Sequence, residues 1–138
     1  MKSLVISAES ANLESLRGFV TAAANEAGLG EERRFRLVLA VDEIASNIIA
    51  HGTRCVSEKT SISVLAETRH DRLRVIMEDG GVAYDPRQYD IPGDAELAGS
   101  LEERVAGGLG IYFALTGVDN FYYESDGTKN HSIFEVML

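Results

Sequence analysis

Residues 60–79, "TSISVLAETRHDRLRVIMED", place the tightest constraint on the fold. In "TSISVLAET" apolar and polar side chains alternate, the period of a strand with one face on a core. "RLRVIME" (72–78) repeats the alternation after the short link "RHD", which predicts a hairpin. "NFYYES" and "HSIFEVML", joined by "DGTKN", predict a closing hairpin, and "SLVIS" (3–7) predicts a short opening strand. Strands that follow one another through hairpins leave no room for helical crossovers between them. The expected class is therefore α+β: a two-layer sandwich whose mixed, mainly antiparallel sheet is covered on one face by about three helices. A parallel doubly wound fold is disfavoured.

Two helices precede the first hairpin. Ser10 or Asn12 can cap the first, in which Leu13, Leu16, Phe19, Val20, Ala23, Ala24 and Ala27 recur at helical spacing until Gly28 and Gly30. The second is expected from about Glu31 to Gly52. Phe35, Val38, Leu39, Ala45 and Ile49 give it one apolar stripe, and Leu37, Val41, Ile44 and Ile48 another. A helix apolar on more than one side is expected to be covered on more than one side. Residues 79–106 hold both prolines and no period, a length that marks a functional or mobile segment in a small domain. "GGLGIYFALTGVD" (107–119) reads as a glycine-rich turn feeding a short helix.

With 138 residues, no repeat and no linker, a single domain over 1–138 is expected. The net charge of -9, from 22 acids and 13 bases, disfavours nucleic acid or an anionic membrane as partner. The single cysteine, Cys55, excludes an internal disulfide and reads as a small half-buried residue. No apolar run reaches the ~18 residues of a membrane span, so a soluble, cytoplasmic protein is expected.

Three short stretches could carry chemistry. Glu43, Asn47 and His51 recur every fourth residue and share one face of the second helix. A carboxylate above an amide can hold a divalent cation and orient a hydroxyl beside it, and oxygen ligands suit Mg²⁺. The same spacing also describes an exposed polar helix edge. "EDGGVAYDP" (78–86) leaves a strand and turns. There Asp79 can accept from an exocyclic amine, or simply hold a tight turn. "GGLGI" (107–111) brings glycines to a helix start, where backbone N–H groups attract phosphate. Neither the P-loop nor the GxGxxG pattern is present.

Taken together, in this order, the stretches resemble the three ATP-site boxes of the GHKL superfamily: E-x-x-x-N on a helix, D-x-G-x-x-[FY]-D-P, then G-G-L-G entering a helix. Within it, "LAVDEIASNIIAHG", "EDGGVAYDP" and "GGLGIYFALTGVD" look most like the stand-alone RsbW-like serine kinases, over nearly the whole chain. The resemblance implies ATP and Mg²⁺ as cofactors, and Glu43 as the general base that activates the attacking hydroxyl. Asn47 would ligate Mg²⁺, Asp79 would accept from the adenine amino group, and Gly81 would leave room for the base. Gly107, Gly108, Leu109 and Gly110 would cradle the phosphates under a lid drawn from residues 86–106.

The implied reaction moves the γ-phosphate of ATP to a serine or threonine of a STAS-type anti-sigma-factor antagonist. The kinase would then be free to hold a sigma factor, and a homodimer is implied as well. The final strand of the family often carries a Thr pair near the adenine. Here His131 and Ser132 occupy that region, and Ser132 is a loose match. The lid segment "GDAELAGSLEE" is acidic, with Arg104 as the nearest basic candidate for the γ-phosphate. His51 reads as structural, and Asp42 as pointing away to backbone or a basic neighbour. The alternatives are a nucleotide-dependent binding module with little kinase activity and a detached histidine-kinase-like ATPase domain.

Overall fold

The computed structural model describes residues 1–52, 61–81 and 109–138. In chain order these form β1 (Lys2–Ser7), α1 (Leu13–Ala27), α2 (Glu31–Asn47), β2 (Ser61–Arg69), β3 (Arg72–Asp79), α3 (Leu109–Thr116), β4 (Asn120–Ser125) and β5 (Asn130–Met137). The strands make one sheet in the order β1-β2-β3-β5-β4, antiparallel at every pairing. Both expected hairpins are present, and the sheet is an open α+β sheet with three helices among the described residues. Among the described strands it is wholly antiparallel rather than mixed.

Alternation decides the layering. Ile6, Ile62, Val64, Ala66, Leu73, Val75, Met77, Phe134 and Val136 face inward and are buried with Leu16 and Val20 of α1 and Leu37, Val41 and Ile44 of α2. Phe121 meets Phe134 edge-to-face, with ring centroids 5.1 Å apart.

α1 stops where its sequence says it must. Gly28 takes φ 83°, a left-handed conformation that costs a glycine little. Leu29 N–H returns to Ala24 O at 3.0 Å, so the terminal carbonyls are satisfied and Leu29 drops into the core. α2 opens with Glu31 and Glu32, whose charge complements the positive end of the helix dipole.

α2 lies between α1 and α3, the two-sided cover expected from its stripes. Two details differ from the sequence reading. Phe35, near the start of α2, is 66% exposed, because it stands outside both neighbouring helices. The regular helix also ends at Asn47, five residues before Gly52, and continues as a wide π turn over Ile48–Gly52. Such turns recur at functional sites.

Candidate functional site

Two groups of polar side chains occur where sequence reasoning placed chemistry. The first is on the C-terminal half of α2, where Glu43 and Asn47 lie one turn apart and half-buried. Asn47 donates its side-chain Nδ2 to the backbone carbonyl of Glu43 at 2.8 Å. That bond settles which end of the amide faces outward: Oδ1, an acceptor, is left for a ligand. Burial pushes the Glu43 carboxyl above the usual carboxylate range, and the neighbouring charge of Asp42 adds to it. Asp42 itself turns to α1, where Arg17 Nη1 meets its Oδ1 at 3.0 Å. The basic neighbour expected for Asp42 is Arg17.

The second group is built around Asp79, the last residue of β3, on the inner face and 4% exposed. Its Oδ1 accepts from Gly81 N–H at 3.0 Å and from Asn130 Nδ2 at 3.0 Å. The other N–H of the Asn130 amide reaches Gly81 O at 2.9 Å. One amide thus holds both ends of the turn that leaves β3. Among the described residues no hydrogen bond reaches Oδ2 of Asp79, so that oxygen is available to a donor from outside the turn.

Asn130 is positioned in its turn. Ser125 Oγ donates to its Oδ1 at 2.7 Å. Asp126 organises the β4–β5 connection by accepting from Thr128 N–H, Thr128 Oγ1 and Lys129 N–H at 2.7–2.8 Å. Those backbone bonds lower the Asp126 pKa to about 2. Sequence reasoning missed Asn130, 2% exposed, and the signal for it was indirect. Only when β3 and β5 are set in register does Asn130 stand opposite Asp79.

Ser132 is buried on the inner face, opposite Met77 and one inward-facing position along β5 from Asn130. His131 points to the other face, where its Nε2 is 3.3 Å from Glu78 Oε1. Leu109 and Gly110 open α3, and His51 belongs to the π turn. Gly107, Gly108, Arg104, Cys55 and the lid segment lie outside the described residues. Asp79, Gly81 and Asn130 are in direct contact, whereas among the described residues no hydrogen bond or ion pair joins them to Glu43 and Asn47. Nor does any group of three or more His, Cys, Asp or Glu among the described residues form a metal cage.

The profile of the histidine kinase-like ATPase domain matches residues 6–134, nearly the full chain. This chain belongs to the histidine kinase-like ATPase domain family. Solved structures agree on the fold of this ATPase domain. The histidine kinase domain of the blue-light-activated histidine kinase from Erythrobacter litoralis EL346 is similar with TM-score 0.54 and 19% identity, over 91% of this chain and 61% of that one. The chain therefore spans somewhat under two thirds of that structure. The nucleotide-free catalytic domain of histidine kinase ThkA is similar with TM-score 0.53 and 14% identity, over 99% of this chain and 96% of that one. No curated protein matches the sequence. The domain is of a nucleotide-binding, kinase-type fold, and among its described residues no helix is long and apolar enough to cross a membrane.

Proposed function

We propose that this ATPase domain binds Mg²⁺–ATP and transfers the γ-phosphate to a serine or threonine of a STAS-type anti-sigma-factor antagonist, as RsbW-like kinases do. The observation that carries the reading is the Glu43–Asn47 pair: a carboxylate with raised proton affinity one helical turn from an amide whose oxygen is held outward.

The chain's own residues suit the parts. Asp79, held by Gly81 and Asn130, offers Oδ2 to an exocyclic amine such as that of adenine. Asn47 offers Oδ1 as a hard oxygen ligand, which fits a Mg²⁺ ion that keeps waters and takes its other oxygens from phosphates. Bound Mg²⁺ supplies charge neutralisation at the β- and γ-phosphates. Glu43 would orient the incoming hydroxyl and take its proton, a role that its raised pKa supports by bringing the carboxylate nearer the working pH of a general base. The start of α3, with Leu109 and Gly110, directs backbone N–H groups toward the phosphates in this reading.

Release of the phosphorylated antagonist, capture of a sigma factor and a cytoplasmic location complete the proposal. Incubation with γ-labelled ATP and a STAS protein tests it. Acid-stable phosphoserine or phosphothreonine on the STAS protein, absent with Glu43→Ala, is the expected result. Nucleotide binding without transfer would make the domain a nucleotide-dependent binding module, and acid-labile phosphohistidine would make it histidine-kinase-like.

A further inference from the structure

Register sets three polar side chains in one row on the inner face of the sheet. Asp79 of β3 stands opposite Asn130 of β5, and Asn130 stands opposite Ser125, the last residue of β4. The Ser125 hydroxyl has one proton to give. It goes to Asn130 Oδ1 at 2.7 Å, and among the described residues that oxygen has no other donor. The opposite end of the same amide holds Asp79 Oδ1 and Gly81 O. Behind Ser125, Gly127 N–H points at its Oγ from 3.3 Å.

Every donor therefore points the same way, from the β4–β5 turn through Ser125 and Asn130 to the Asp79 carboxylate. Hydrogen bonds aligned head to tail polarise and strengthen one another. A second contact joins the same two places. A Cβ placed on Gly80, the residue after Asp79, would stand 3.7 Å from the carbonyl oxygen of Thr128 in the β4–β5 turn.

We propose that Ser125 is a positioning residue for base recognition: it holds Asn130 from the far end of the amide, fixes the direction of Asp79 Oδ2, and so sets the preference of the site for a base with an exocyclic amine. This role rests on Asp79 being the amine acceptor proposed above. It brings in a residue from outside the three sequence boxes, on the edge strand β4, that acts on the ligand only through Asn130 and Asp79.

Without the hydroxyl, Oδ1 of an amide only 2% exposed loses its donor. An unsatisfied buried carbonyl turns toward whatever donor or water it can reach, and the amide plane turns with it. Nδ2 then leaves the plane in which it meets both Asp79 and Gly81. A carboxylate no longer held must be ordered by the ligand amine on binding, which costs affinity. A base without the amine makes no bond to Oδ2 and is indifferent to the change. The signature of the relay is thus lost selectivity, not a general loss of nucleotide binding.

Calorimetry on the full chain compares Mg²⁺–ATP with the Mg²⁺ complex of purine riboside triphosphate, in which hydrogen replaces the exocyclic amine. Thermal melting checks the fold. Wild type should prefer ATP. Ser125→Ala should weaken ATP binding about fivefold, the worth of one hydrogen bond, and binding of the amine-free nucleotide by less than about twofold. Ser125→Thr, which keeps the hydroxyl, should keep the wild-type preference. If Ser125→Ala does not fold, Ser125→Cys takes its place; its S–H is a weak donor, and a smaller loss of preference is expected. Equal weakening of both nucleotides, or a full preference for ATP in folded Ser125→Ala or Ser125→Cys, overturns the role of Ser125 and leaves the reading of Asp79 standing. A wild type that binds both nucleotides equally overturns both.

Discussion

Asn130 and Asp79 face each other across β3 and β5, with Asn130 Nδ2 3.0 Å from Asp79 Oδ1. The same amide nitrogen is 2.9 Å from Gly81 O, so one side chain fixes both the carboxylate and the turn behind it. Asp79 cannot rotate without breaking this contact, and its free oxygen keeps one direction. Recognition of a purine amine requires such fixed geometry, because a mobile carboxylate loses ordering entropy on binding.

Asn130→Ala should therefore act twice. It removes one of the two donors on a buried carboxylate oxygen, which costs about 1–3 kcal/mol of stability in urea denaturation. Binding of ATP, followed by calorimetry, should weaken at least about tenfold as Asp79 and Gly81 lose their shared anchor. Loss of stability with unchanged ATP affinity would make Asn130 purely structural.

Glu135 anchors the other end of β5. It is 1% exposed, and its carboxylate accepts from Arg74 Nε at 3.0 Å and Nη2 at 2.5 Å, with Arg72 Nη1 and Asn120 Nδ2 at 3.4 Å. Burial opposes its ionisation, but Arg74 first and then Arg72 overcome this and hold its pKa below the ordinary value. A depressed folded-state pKa contributes stability that is complete above the unfolded value near 4.3 and is lost as pH falls through the lower folded value. Wild type should lose stability over that acid window, and Glu135→Leu should lose less. Glu135→Ala should cost only about 1–2 kcal/mol at neutral pH, because the Arg72 and Arg74 side chains it leaves keep more than a third of their surface in water.

The pKa of Glu43 has two causes, burial and the charge of Asp42. Asp42→Asn removes the second, so the Glu43 carboxyl should ionise at lower pH. The acid limb of the rate of phosphate transfer should move to lower pH, with the plateau little changed. An acid limb that stays in place would mean that Glu43 is not the titrating base.

Gly28→Ala tests the stop of α1. A Cβ there meets no atom within 4 Å, so the cost is that of the positive φ alone, about 1 kcal/mol. A melting temperature equal to wild type would contradict this account of the helix stop.

Legibility in the sequence followed locality. The hairpin over 61–79 was plain because alternation and a short link are neighbouring signals. α1 was plain because Gly28 ends an unbroken helical stripe. The pair Glu43 and Asn47 could be read from one spacing within one helix. Asn130 could not, because its role depends on lying opposite Asp79, 51 residues away, through a pairing that no local pattern reveals. The short extent of α2 was hidden for a different reason. Apolar periodicity runs on through Ile48 and Ile49 and does not report the change from α to π winding after Asn47. The exposure of Phe35 was equally invisible, since an apolar residue on a helical stripe looks buried until its neighbours are placed.

The central claim divides labour between two residues one helical turn apart, and calorimetric titration of Mg²⁺–ATP beside single-turnover transfer tests it most directly. Asn47→Ala should weaken Mg²⁺–ATP binding about tenfold or more, because the outward oxygen is lost. Glu43→Ala should leave binding within about threefold of wild type and slow transfer by about 10²–10⁴. Normal transfer by both variants would contradict the account.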